Sequence, residues 1–183
     1  MPYGTFDDFA RLGSPRLLGA ARLLLGDPQL AEDLTQETLI RVYRSWSSIR
    51  VDAAIDSYAY RTLVRLVHRR RMRGFHRREV PTAMVPEQVL HGVVAEGIGE
   101  VDGEADGDHR APLLRACLLQ LPARQRATLV LRFYADLSVE DTAKAMRCTP
   151  GTVKSQTAKG LRNLKALMTP DEAGEFAGQG ETR

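Results

Sequence analysis

The chain has 183 residues, 43% of them hydrophobic and 27% charged, with a formal net charge of +3 at pH 7. That length suits one large or two small domains. No apolar run is long enough to span a membrane, so no membrane insertion is expected. Cys117 and Cys148 have no CxxC spacing, which argues against a disulfide framework or a cysteine-rich zinc site.

The small net charge hides a segregation. Residues 1–78 carry +6, residues 79–110 carry −7 and residues 111–183 carry +4. Two basic blocks flanking an acidic one suggest nucleic acid for the blocks and something different for the middle. The N-terminal MPYGTFDDFARLG is acidic and lacks a signal-peptide apolar core, so a cytoplasmic protein is expected.

Residues 5–25 read as a helix, with Phe6, Phe9, Leu12, Leu17, Ala20, Ala21 and Leu24 at near-helical spacing. Ser14-Pro15 is a point for a kink or restart, and Gly26 ends the helix. Asp27-Pro28 then supplies an N-cap and a first helical residue for a helix over about 28–46. Its buried stripe is Leu30, Ala31, Leu34, Thr38, Val42 and Trp46. Asp33, Gln36, Glu37 and Ile40 fall on the other side, an acid–amide patch around an apolar residue. Such a patch suits a partner, and a scattered surface isoleucine is the plainer alternative.

Residues 47–56 read as a loop or broken segment, followed by a helix over about 57–72. Ala59, Leu63, Leu66 and Val67 face inward, while Tyr58, Arg61, Arg65 and Arg69 share an outward stripe. An aromatic ring beside guanidinium groups can stack on unpaired bases and contact phosphates. A tyrosine packed on arginine stems at an ordinary basic surface fits equally well. Arg69, Arg70, Arg71, Arg73, Arg77 and Arg78 add a sequence-independent attraction for nucleic acid.

Residues 79–110 lose the pattern. Prolines, glycines and acids there read as a flexible acidic linker, with a weak helix near 86–95. Such a linker can be a passive tether, lie along basic protein surfaces or mimic a nucleic-acid backbone. Residues 111–120 and 122–134 read as two more helices, with Leu113, Leu114, Cys117 and Leu118 in the core of the first. Leu129, Val130 and Phe133 are expected in the core of the second.

The segment Leu137–Leu167 reads as two helices with a tight turn at Arg147-Cys148. Ser138 caps the first; Thr149 and Pro150 open the second. Val153, Thr157, Gly160, Leu161, Leu164 and Met168 share one face of that second helix. Gly151, Lys154, Ser155, Ala158, Lys159 and Arg162 lie on the opposite face. This is a helix-turn-helix, whose small and basic face can enter a major groove. A solvated basic face on a small bundle is the alternative. After Met168, Thr169-Pro170 stops the helix, and residues 169–183 are expected to be disordered.

The four histidines are dispersed, and there is no HExxH, GxSxG or Walker-type loop. A non-enzymatic protein without metal or cofactor is expected.

These residues together resemble the extracytoplasmic-function (ECF) sigma factors, small two-domain members of the bacterial sigma family. AEDLTQETLIRVYRSW (Ala31–Trp46) is similar to the main helix of their region 2, and Leu121–Leu164 to their region 4. The resemblance implies an all-α fold of two small helical domains. Region 2 would occupy 1–78, the flexible acidic linker 79–110, region 4 111–168 and the tail 169–183.

The resemblance also implies a mechanism. Region 2 binds core RNA polymerase, here through Asp33, Gln36, Glu37 and Ile40. It captures the single-stranded −10 element of promoter DNA, here through Trp46, the loop after it, Tyr58, Arg61 and Arg65. Region 4 reads the −35 duplex, here through Thr152, Lys154, Ser155, Lys159 and Arg162. An anti-sigma factor is a further partner of many relatives.

Two departures stand out. Relatives often carry tryptophan where Tyr58 stands and asparagine where Arg65 stands. Arginine is longer and donor-only, so their −10 sequence does not carry over. Ala158 also occupies a position that is often larger. A conventional DNA-binding regulator, or an RNA-binding protein using residues 65–78, would share much of this pattern. Polymerase binding through the 33/36/37 patch separates them.

Overall fold

A computed structural model of the chain describes residues 3–49, 52–77 and 110–168. Within them every regular element is helical: α1 (Phe6–Leu25), α2 (Pro28–Ser45), α3 (Asp52–Arg77), α4 (Arg110–Gln120), α5 (Ala123–Leu129), α6 (Val139–Met146) and α7 (Pro150–Leu167). The expected acidic linker, the weak helix near 86–95 and the tail from 169 lie outside the described residues.

Local chemistry sets most helix ends. Thr5 and Asp8 form a reciprocal capping box at α1, and Gly26 closes it in the left-handed region with φ 80°. Asp27 caps α2 by accepting from the Leu30 amide at 3.0 Å. Ser138 and Thr149 cap α6 and α7 through the amides of Asp141 and Thr152. Arg147 takes the left-handed conformation at the turn between them, φ 51°.

Three expectations need correction. The third helix starts at Asp52 rather than Ser57 and continues to Arg77, so half of the expected loop is helical. Pro15 does not break α1, and the Ser14 hydroxyl donates to the Ala10 carbonyl just before it. Phe133 is 61% exposed rather than in the core. The reason is a π turn over Val130–Tyr134. Its extra residue rotates the register, so Leu129, Val130 and Leu131 are all buried and Phe133 is turned out.

α1, α2 and α3 pack around Phe9, Leu17, Val42 and Leu63, all essentially inaccessible. The core does not stop there. Val130, Leu131, Ala135, Leu137 and Ala145 belong to the same buried cluster, so the helix-turn-helix half closes onto α1 and α3. This explains why α3 buries Ile55, Tyr60, Val64 and others beyond the narrow stripe expected for a surface helix: α2 covers one side and α6 another. A smaller cluster of Leu118, Leu121 and Leu129 takes Leu23 of α1 and Leu164 of α7 against it.

Candidate nucleic-acid and polymerase interfaces

α2 divides cleanly. Ala31, Leu34, Thr35, Thr38 and Val42 are buried, and the two threonine hydroxyls donate to the carbonyls one turn back. Asp33, Gln36 and Ile40 are exposed and Glu37 half-buried, so all four residues of the expected patch share the free side. Ile40 is 52% exposed. The Arg41 guanidinium lies 2.6 Å from the Glu37 carboxylate. The same side carries Tyr43, 65% exposed, three residues beyond Ile40 and seven beyond Gln36. Its ring rests edge-on against Phe6, centroids 5.0 Å apart, which fixes its direction. The i+3, i+7 spacing carried that signal.

Trp46 follows the end of α2, and Tyr58 of α3 is joined to the residue before it. Trp46 is half-buried, edge-on to Phe6 at 5.7 Å and tilted on Phe9 at 5.9 Å. The Tyr58 hydroxyl is 2.9 Å from that of Ser45, the residue before Trp46. Tyr58 packs against the core rather than standing free on an outward stripe. Its phenol is therefore positioned by both helices.

Below it on α3, Arg61 is half-buried, and its Nε has no hydrogen-bond partner. Arg65 is exposed. Its pKa is pulled below the usual guanidinium value, first by lost hydration and then by the charges of Arg147 and Arg61. Asp141 of α6 is held below the ordinary carboxylate value chiefly by the Ser138 hydroxyl, with smaller help from Lys144 and Arg61. The helix-turn-helix thus stands beside Arg61 and Arg65, a juxtaposition no sequence spacing contains.

On α7, Val153 and Gly160 are buried, while Gly151, Lys154, Ser155, Ala158, Lys159 and Arg162 are exposed, as the helical wheel requires. Thr152 is half-buried, its hydroxyl 2.9 Å from that of Thr149. Leu161, expected on the inner face, is 45% exposed. The inner face is narrow because α5 approaches closely at Gly160. A Cβ there would meet Leu129 at 3.1 Å.

Arg126 of α5 is the one buried cation among the described residues. It donates to the Leu119 carbonyl at 3.1 Å, and burial with the nearby charge of Arg71 lowers its pKa to about 10. Among the described residues no cluster of His, Cys, Asp or Glu could hold a metal ion, and no helix is long and apolar enough to cross a membrane.

Residues 10–77 match the family Sigma-70 region 2, and residues 112–164 match Sigma-70, region 4. The RNA polymerase sigma-E factor of Streptomyces avermitilis is 31% identical over 160 residues, covering 87% of this chain and 83% of the relative. The ECF RNA polymerase sigma factor SigM of Mycobacterium tuberculosis is 30% identical over 163 residues, covering 89% of this chain and 76% of the relative. Among solved structures, the sigma factor RpoE of Bartonella quintana, crystallised with the anti-sigma factor NepR, shares the fold with a TM-score of 0.68. That match has 23% identity and covers 91% of this chain and 98% of that one. With both regions in order and relatives matched over most of their length, the chain belongs to the ECF sigma factors of the sigma-70 family.

Proposed function

We propose that this chain binds core RNA polymerase and directs it to promoters, using three surfaces with separate tasks. The α2 face of Asp33, Gln36, Glu37 and Ile40 docks on polymerase. The exposed α7 face reads the −35 duplex through Thr152, Lys154, Ser155, Lys159 and Arg162. Its small residues admit close approach, and its cations reach phosphate and base edges. Trp46, Tyr58, Arg61 and Arg65 hold the unpaired −10 strand by stacking and charge. The first domain spans 1–78, the acidic linker 79–110 and the second domain 111–168.

The observation that carries this reading is the exposure, in one chain, of a polar-apolar patch on α2 and a small-basic face on α7.

The role asks for no bond-making by this chain. Strand opening is driven by binding the displaced strand more tightly than the duplex. The setting is the cytoplasm, where polymerase and chromosome meet. A protein covering the α2 patch would keep the chain inactive, and the anti-sigma factor seen with the Bartonella protein makes such a partner reasonable here.

Binding of the full-length protein to core polymerase tests the reading, beside a Gln36→Ala/Glu37→Lys variant. Gln36 is exposed, but Glu37 is half-buried and paired with Arg41, so a thermal melt of the variant is run beside the binding assay to separate lost docking from lost folding. The native chain binds and the variant loses at least about tenfold, 1.4 kcal/mol. Absence of binding by the native chain overturns the function, and equal binding by both removes the patch from it.

A further inference from the structure

Phe6 opens α1 and stands between two surfaces of the first domain. Its ring meets Tyr43 edge-on, with 5.0 Å between centroids, and Trp46 edge-on at 5.7 Å. Tyr43 lies on the free side of α2 with Gln36 and Ile40. Trp46 begins the short turn after α2, next to Ser45, whose hydroxyl meets that of Tyr58. Tyr43 and Trp46 are about one helical turn apart, so one ring set against that turn can touch both.

Phe6 has a fixed seat. The reciprocal Thr5–Asp8 cap sets the first turn of α1, and with it the direction in which Phe6 leaves the backbone. Behind it stands Phe9, fully buried, 6.5 Å from Phe6 and 5.9 Å from Trp46. Phe9 is braced in turn by Tyr3, edge-on at 5.1 Å, whose hydroxyl donates to Asp56 of α3 at 3.2 Å. Trp46 is thus held by two rings, one deep in the core and one half-buried.

Tyr43 is held differently. Among the described residues, Phe6 is the one ring packed against it. A partner covering the free side of α2 presses on an exposed phenol whose backing is Phe6. Phe6 has no room to retreat toward Phe9, because a close-packed core transmits strain rather than absorbing it. The displacement passes to the other ring at the surface of the cluster, Trp46.

We propose that Phe6 is a positioning residue that sets the indole of Trp46 according to the state of Tyr43. Covering the polymerase side of α2 then resets the strand-binding side through a single ring. The tasks of the two sides rest on the proposed function. The dependence of Trp46 on Tyr43 through Phe6 does not, and it can be read in the free protein.

Trp46 is the only tryptophan of the chain. The test replaces it with 7-azatryptophan in the full-length protein, so that its emission is read apart from the tryptophans of polymerase. Acrylamide quenching then reports how the indole is covered. In the free protein, Tyr43→Leu shifts the quenching constant. The shift is lost in a Phe6→Leu background and kept in a Phe6→Tyr background, where the ring is restored. Each variant is melted in parallel. Phe6→Met, flexible and gap-filling, takes the place of Phe6→Leu if the latter does not fold. With saturating core polymerase, the native chain shows a change of quenching that the bound Phe6→Leu chain lacks. A Tyr43→Leu shift of equal size with and without the Phe6 ring overturns the proposal, as does no shift in the native background. So does a polymerase-bound native chain whose Trp46 is unchanged. Failure of the native chain to bind polymerase overturns the sigma reading instead, and the free-protein measurement still decides the role of Phe6.

Discussion

Asn163 donates from Nδ2 to the Gln125 Oε1 at 2.9 Å, joining α7 to α5 across 38 residues of chain. The bond sits behind the exposed face of α7 and fixes how the far half of that helix is carried. Asn163→Ala costs about 1 kcal/mol, the usual net worth of one hydrogen bond. Gln125→Ala in that background adds little further, giving a coupling of similar size in a urea-denaturation cycle. Additive losses would show that the pair does not act as a unit.

Thr142 offers a gain. It is fully buried on α6, and its hydroxyl has no hydrogen-bond partner. Replacing the hydroxyl with a methyl of the same shape removes an unmet desolvation cost. Thr142→Val therefore raises the unfolding free energy by about 1 kcal/mol, read as a higher urea midpoint at unchanged slope. A loss would mean that the hydroxyl is satisfied in solution.

Asp141 couples the helix-turn-helix to pH. It accepts from Ser138 at 2.8 Å and from Lys144 at 3.2 Å, and its pKa lies below the ordinary carboxylate value. A depressed folded-state pKa adds stability that is complete above the unfolded value and lost as pH falls through the folded one. Asp141→Asn is thus less stable than the native chain at neutral pH, and the gap closes on the acid side of the carboxylate range. A gap constant from pH 7 to pH 3 would assign the effect to packing.

Lys154 and Lys159 are both exposed on α7. As phosphate contacts, each adds about 0.9 to the slope of log K against log salt for duplex DNA. Lys154→Ala and Lys159→Ala each reduce that slope by about one and weaken binding across sequences. A position read through a base edge instead relaxes specificity with little change of slope. Titrating holoenzyme with −35 duplexes at several salt concentrations separates the two.

Much of this protein follows from local sequence rules. The caps at Thr5, Asp27, Ser138 and Thr149 and the stop at Gly26 are one-residue decisions by hydroxyl, carboxylate or missing Cβ. The exposed faces of α2 and α7 follow from 3.6-residue periodicity, so the two faces proposed for polymerase and for the −35 duplex could be read as exposed in advance. What periodicity cannot hold is the partner of a helix. Phe133 left the core because a π turn shifted its register, and α3 buried a second side because α6 covers it. The same closure set Arg65 beside Arg147 and enclosed an arginine-lined cleft. Those outcomes come from apolar surfaces far apart in the chain finding each other, a non-directional force with no short-range signature in the sequence.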